Sequence, residues 1–169
     1  LNFTPFRDAN PACRKGEEYK ALGSPHSATH EEQALLAFKS PDGVHWDLIS
    51  DKPVMDHTTG VNVFDSQNVS FWDPWREEYV AYTRGVAGAG GSFLGGVRWI
   101  RRSTSKDFRS WTPFESIDAG DTPFEHLYTN SCVAYERAPG TYLMFPSRFV
   151  HERAPGLRRA VHERHRVPP

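Results

Sequence analysis

Three carboxylates are spaced as though each belonged to one copy of a repeating unit. Asp8 stands in Phe6-Arg7-Asp8-Ala9-Asn10-Pro11, Asp65 in Phe64-Asp65-Ser66-Gln67-Asn68, and Glu125 in Phe124-Glu125-His126-Leu127-Tyr128-Thr129-Asn130, at separations of 57 and 60 residues. Each acid closely follows an aromatic residue, and each precedes a pair of strands. In a radial array of sheets, equivalent positions face one central basin, so this spacing predicts that the three carboxylates converge. Like charges a few ångströms apart raise one another's pKa. Hydrolysis of a glycosidic bond uses that situation: one carboxyl stays protonated to donate to the leaving oxygen, while another stays ionised as nucleophile or base. Asp8, Asp65 and Glu125 are the catalytic candidates on this reading. Asn10, Asn68, His126 and Asn130 are candidate partners for sugar hydroxyls, Trp72 and Tyr128 for sugar faces, and Arg148 for a carboxylate or hydroxyl pair. The same acids and amides also serve as turn and cap residues in three similar hairpins, so both readings stand at this level.

Short strands must position these groups. Asn68 to Trp72 and Tyr79 to Thr83 alternate around the turn Trp75-Arg76-Glu77, which reads as a β-hairpin. Ala34 to Phe38 and Val97 to Ile100 are apolar runs of strand length. Ser40-Pro41-Asp42-Gly43-Val44-His45-Trp46 follows the first run, and Ser103-Thr104-Ser105-Lys106-Asp107-Phe108-Arg109-Ser110-Trp111 follows the second. Their tryptophans lie 65 residues apart, which marks an internal repeat. Each tryptophan is expected to begin the next strand as a large anchor. Glu18 to Leu22 reads as a strand, Phe6 to Pro11 as a polar loop, and Ser131 to Tyr135 with Thr141 to Phe145 as a last hairpin. The glycine-rich stretch from Gly85 to Gly96 has no Gly-Lys-Ser/Thr ending, so it reads as a connection between strands rather than a phosphate cradle.

Composition agrees with many short strands. Aromatic residues make up 13% of the 169, with 13 glycines and 13 prolines, a balance that suits frequent turns better than long helices. Twenty basic and 21 acidic residues nearly cancel, so no nucleic-acid partner or anionic membrane surface is implied. No stretch approaches the roughly 20 apolar residues of a membrane helix. Cys13 and Cys132 either pair or are buried thiols, and their spacing is not that of a metal site. No cofactor and no metal are expected. Residues 151–169 carry five arginines and few apolar residues, and read as a poorly packed basic tail in which His162 and His165 lack further ligand types.

The motifs also carry a resemblance. The acid-per-unit arrangement is similar to the five-bladed β-propellers of glycoside hydrolase families 32, 43, 62 and 68. Phe-Arg-Asp-Ala-Asn-Pro, Ser-Pro-Asp-Gly-Val-His-Trp, Phe-Asp-Ser-Gln-Asn, Glu-His-Leu-Tyr-Thr-Asn and Phe-Pro-Ser-Arg-Phe together resemble a group of bacterial proteins described as glycosyl hydrolase family 32-like. The resemblance covers residues 3–150. It implies an all-β fold, a catalytic-type propeller domain over residues 1–150 and a carbohydrate substrate. It also implies Asp8 as nucleophile or base, Asp65 as transition-state stabiliser or pKa tuner, and Glu125 as acid. A five-bladed propeller at this repeat length needs about 300 residues, so the chain is expected to hold about two and a half to three blades. Two further readings are a non-catalytic carbohydrate-binding propeller and a sialidase-like protein, the latter because Ser40-Pro41-Asp42-Gly43-Val44-His45-Trp46 resembles an Asp box.

Overall fold

The computed structural model describes residues 2–24, 34–56, 64, 66–87 and 96–150. Among them there is no helix. There are thirteen strands: β1 (Phe3–Arg7), β2 (Tyr19–Gly23), β3 (Ala34–Ser40), β4 (Asp47–Leu48), β5 (Met55–Asp56), β6 (Val69–Asp73), β7 (Glu78–Ala87), β8 (Val97–Ser105), β9 (Glu115–Ser116), β10 (His126–Leu127), β11 (Val133–Ala134), β12 (Tyr142–Leu143) and β13 (Arg148–Phe149). All pairings are antiparallel.

Two sheets share one plan. The first runs β1-β2-β3-β4, with β5 also paired to β3, and the second runs β6-β7-β8-β9. A third, smaller unit consists of the pairs β11-β12 and β10-β13. The hairpin expected at Asn68 to Thr83 forms, with Phe71 opposite Val80 and Trp72 opposite Tyr79. Three expectations are corrected. Phe6 and Arg7 are not loop but the end of β1, an edge strand on which Pro5 lacks no ladder donor that matters. Trp46 does stand directly before a strand, but Trp111 stands four residues before β9. The last hairpin is two residues per strand, much shorter than its apolar runs.

The repeat is written most clearly in the turn after each third strand. Ser40 Oγ accepts from the backbone N–H of Gly43 at 2.8 Å and donates to Asp42 Oδ1 at 3.1 Å, while Asp42 Oδ1 accepts from the N–H of Val44 and His45 at 2.9 and 2.8 Å. Sixty-five residues on, Ser105 Oγ accepts from Phe108 N–H at 2.9 Å and donates to Asp107 Oδ1 at 3.0 Å, which accepts from the N–H of Arg109 and Ser110 at 2.8 and 2.7 Å. One network is built twice because serine and aspartate satisfy turn N–H groups that no strand reaches. The central residue has φ +78° at Gly43 and +61° at Phe108. Glycine adopts that backbone without cost. Phenylalanine does not, and its ring is fully buried in return.

The core lies between the units. Leu22, Leu35, Ala37 and Met55 of the first sheet pack against Tyr79, Ala81 and Phe108 of the second. Val80, Tyr82 and Ile100, from the other face of the second sheet, pack against Cys132, with Tyr142 and Met144 beside them. One strand from each unit, β1, β6 and β11, lines a common open cavity of about 530 Å³.

Candidate functional site

Two of the three acid-bearing motifs are brought side by side. Ser66 Oγ donates to the Tyr128 carbonyl at 3.2 Å, and Asn130 Nδ2 donates to the Gln67 carbonyl at 3.0 Å and the Tyr82 carbonyl at 3.1 Å. Gln67 Oε1 accepts from the N–H and the hydroxyl of Ser131 at 2.9 and 3.2 Å. The segment flanking Asp65 is thereby laced to the segment that begins at Glu125. Asp65 itself lies outside the described residues. The Phe64–Asn68 segment precedes β6, and the segment from Glu125, which contains β10, precedes β11.

Asp8 occupies the other end. It follows β1, and the first strands of the two sheets run the same way. Asn2, before β1, donates to the Phe64 carbonyl before β6 at 3.3 Å, while Asp8, after β1, meets Tyr79 just beyond β6. A five-residue strand advances about 16 Å, so Asp8 is about that far from the Phe64–Asn68 segment. The separations of 57 and 60 residues therefore join non-equivalent places. On the 65-residue repeat, the counterpart of Asp8 is Asp73, at the end of β6.

The surroundings of Asp8 and Asp73 match. The Asp8 carboxylate is fully covered; it forms an ion pair with Lys20, accepts from Tyr79 Oη at 2.7 Å and from the Asn10 N–H at 2.9 Å. Lys20 is also buried and approaches Glu17 at 3.6 Å. Asp73 is likewise covered, accepts from Tyr142 Oη, and pairs with Arg76 at 3.2 Å. In each case a tyrosine of one unit's second strand bonds the acid that ends the preceding unit's first strand. Burial and the hydrogen bond to Asp8 push the Tyr79 hydroxyl up to about 12, and burial with Asp73 does the same at Tyr142. Burial alone would lower the Lys20 ammonium, but Asp8 outweighs it and raises it above 10.5. Burial and the same carboxylate push the neighbouring Cys13 thiol up to about 11, and burial pushes Cys132 to about 12; both cysteines are thiols.

The remaining candidates divide by burial. Asn68 and Asn130 are fully buried and their amides bond backbone carbonyls, so they shape the turn and present no surface to a ligand. Asn10 Nδ2 donates to Tyr79 Oη at 3.1 Å, at the Asp8 end. Trp72 packs edge-on to Tyr79 and lines the central cavity. His126 Nδ1 accepts from the Arg98 N–H at 2.9 Å. Glu125 and Arg148 form an ion pair that engages both carboxylate oxygens, one of them at 2.7 Å from Arg148 Nη2. This pair, His126 and Tyr128 sit at the end where the two laced segments meet.

Several residues of this end went unread in the sequence. The Arg84 and Arg98 guanidiniums lie 5.6 and 5.3 Å from the Tyr128 ring centre, and Arg101 lies 3.8 Å from that of Phe114. Burial, with Arg84 nearby, lowers Arg101 to about 10. Arg101 crosses the second sheet over Gly85, where an added Cβ would come within 2.9 Å of its Cδ. The available signal was an arginine inside an apolar strand, as in Val97-Arg98-Trp99-Ile100-Arg101, since a buried cation is rare unless something holds it.

The fold and site together define an all-β protein of packed antiparallel sheets, with a polar, arginine-rich end between its second and third units. Compared with known proteins, the chain matches no protein-family model and no curated protein.

Proposed function

We propose that the chain is a glycoside hydrolase-like protein of partial β-propeller architecture that handles a carbohydrate where the Asp65 and Glu125 segments meet. The observation that carries this reading is the lacing of those segments through Ser66, Gln67, Asn130 and Ser131. It sets two carboxylate-bearing turns against each other, as acid and base catalysis at one bond requires. Support for the propeller comes from two sheets of one plan and from a cavity shared by β1, β6 and β11, one strand of each unit. In this reading Glu125 is the acid, Asp65 its carboxylate partner, and Tyr128 and His126 border the sugar. Asp8 is then a positioning residue that holds the second sheet against the first.

A second reading, carbohydrate binding without turnover, is favoured by one feature. Arg148 engages both oxygens of Glu125, so a substrate must displace it before Glu125 can reach a glycosidic oxygen. Arg148 is largely exposed, which leaves it room to leave.

The test is a panel of aryl glycosides and free oligosaccharides against the parent chain, Glu125→Gln and Asp65→Asn. Hydrolysis lost in both variants with sugar affinity retained supports the enzyme. Binding without hydrolysis in the parent supports the binder. Neither binding nor turnover across the panel sinks both.

A further inference from the structure

Glu125 and Arg148 meet at the β10–β13 ladder, where Leu127 stands opposite Arg148. Arg148 Nη2 donates to Glu125 Oε1 at 2.7 Å, and its Nε engages Oε2. The Arg148 and Glu125 side chains are 66 and 34% exposed, so the pair is open to a ligand. The backbone beneath it is fixed. Tyr128 N–H donates to the Ser147 carbonyl at 2.8 Å, and Thr129 Oγ1 donates to Ser147 Oγ at 2.9 Å. His126 packs edge-on to Phe149, and the Arg98 guanidinium lies 4.7 Å from the centre of the Phe149 ring. A rigid frame therefore carries one exposed guanidinium fork.

That fork is already matched to a carboxylate, which it engages through both oxygens. Both Glu125 oxygens accept from Arg148, so neither is free to serve a leaving oxygen. Glu125 can act as the acid only when another group occupies Arg148. A sugar hydroxyl offers the fork one neutral oxygen, while a second carboxylate offers two charged oxygens at the spacing the fork fits. The surroundings also favour an anion. Arg84 and Arg98 lie behind the ladder against Tyr128, and Arg101 pairs with no carboxylate among the described residues. Buried cations are screened little by salt and keep the potential at this end positive.

We infer that the sugar handled at this end is a uronic acid residue, whose carboxylate takes Arg148 from Glu125 and so releases Glu125. The inference rests on the reading of Glu125 as the acid of a carbohydrate site and adds the substrate class to it. Arg148 is then the residue that sets specificity, by holding the carboxylate of the substrate in place of that of Glu125.

The experiment is isothermal titration calorimetry of the full chain. The ligands are oligosaccharides of glucuronic, galacturonic and mannuronic acid, each beside its carboxyl-reduced neutral counterpart, and a sulfated oligosaccharide. At least one uronic oligosaccharide is expected to bind about tenfold or more tighter than its reduced form. Arg148→Met, at an exposed position and with its fold checked by circular dichroism, should erase that preference without weakening the neutral sugar. Glu125→Gln removes the competitor for Arg148 and should tighten uronic binding by about two- to fivefold, a gain that a purely structural pair would not give. Uronic and reduced forms bound alike overturn this inference and leave the carbohydrate reading standing, whereas no binding of any saccharide sinks both. A uronic preference that survives Arg148→Met overturns the role of Arg148. Sulfated oligosaccharides bound more tightly than uronic ones overturn the carboxylate.

Discussion

Replacing Asp8 by asparagine separates a positioning role from a catalytic one. Asp8 has no exposed side-chain surface, and its partner Lys20 is 2% exposed. Asparagine keeps the acceptor for the Asn10 N–H, so the local turn survives and the lost element is the charge. Removing one member of a buried ion pair costs about 3–5 kcal/mol, because the other is left buried without compensation. Glu17, 3.6 Å from Lys20, supplies part of that compensation and points to the lower end, about 3 kcal/mol. For a chain of this size that is a fall in Tm of about 6–12 °C. The assay is urea unfolding followed by tryptophan fluorescence, together with a thermal melt. Tyr79→Phe, which removes the hydrogen bond donated to Asp8 and those accepted from Lys20 and Asn10, is expected to cost at least about 1.5–3 kcal/mol. The double variant should fall short of the sum by about 1–2 kcal/mol, since the two groups share one network. Asp73→Asn is a control for environment: Arg76 is half exposed and keeps its water, so the loss there is smaller. An Asp8→Asn chain within about 1 kcal/mol of the parent would refute the reasoning, and Asp8 would again be a free group for chemistry.

Other expectations follow from the same geometry. Phe108→Ala opens a cavity between the sheets and should cost about 3–5 kcal/mol, whereas Phe108→Gly recovers about 1 kcal/mol of backbone strain and should cost no more than the alanine. The reverse change, Gly43→Ala, should cost about 1–2 kcal/mol, read by the same unfolding assay. Alkaline stability should fall steeply. The Tyr79 and Tyr142 hydroxyls are raised from 10.0 to about 12 in the fold, so their contribution is complete below pH 10 and is lost as pH rises through about 12; a pH series of unfolding midpoints reads it. A series flat to pH 12 would contradict the buried tyrosine latches. Finally, Asp42 raises the His45 imidazole above 6.5, so proton NMR titration should place it there and Asp42→Asn should bring it back down.

Local rules were written plainly in the chain. Alternating apolar residues around Trp75-Arg76-Glu77 determined the β6–β7 hairpin, because side-chain period and turn chemistry are short-range properties. The serine–aspartate turns and their 65-residue offset were legible for the same reason: each network closes within six residues. Other features depended on which ends of which strands meet. Pro5 disguised β1, since a proline is tolerated on an edge and nothing local says that a strand will be an edge. The spacing of Asp8, Asp65 and Glu125 was regular in sequence, yet Asp8 ends a first strand while the other two motifs precede one, and a strand's length separates its ends. Lys20 and Tyr79 lie 12 and 71 residues from Asp8, so only packing could reveal that its charge is already matched. The same holds for Arg84, Arg98 and Arg101, whose burial is a property of neighbouring units. Sequence alone determined the strands and turns, where each residue answers to its near neighbours. Tertiary structure decided which charges face one another, because burial and electrostatic pairing are set by residues that the chain brings together from far apart.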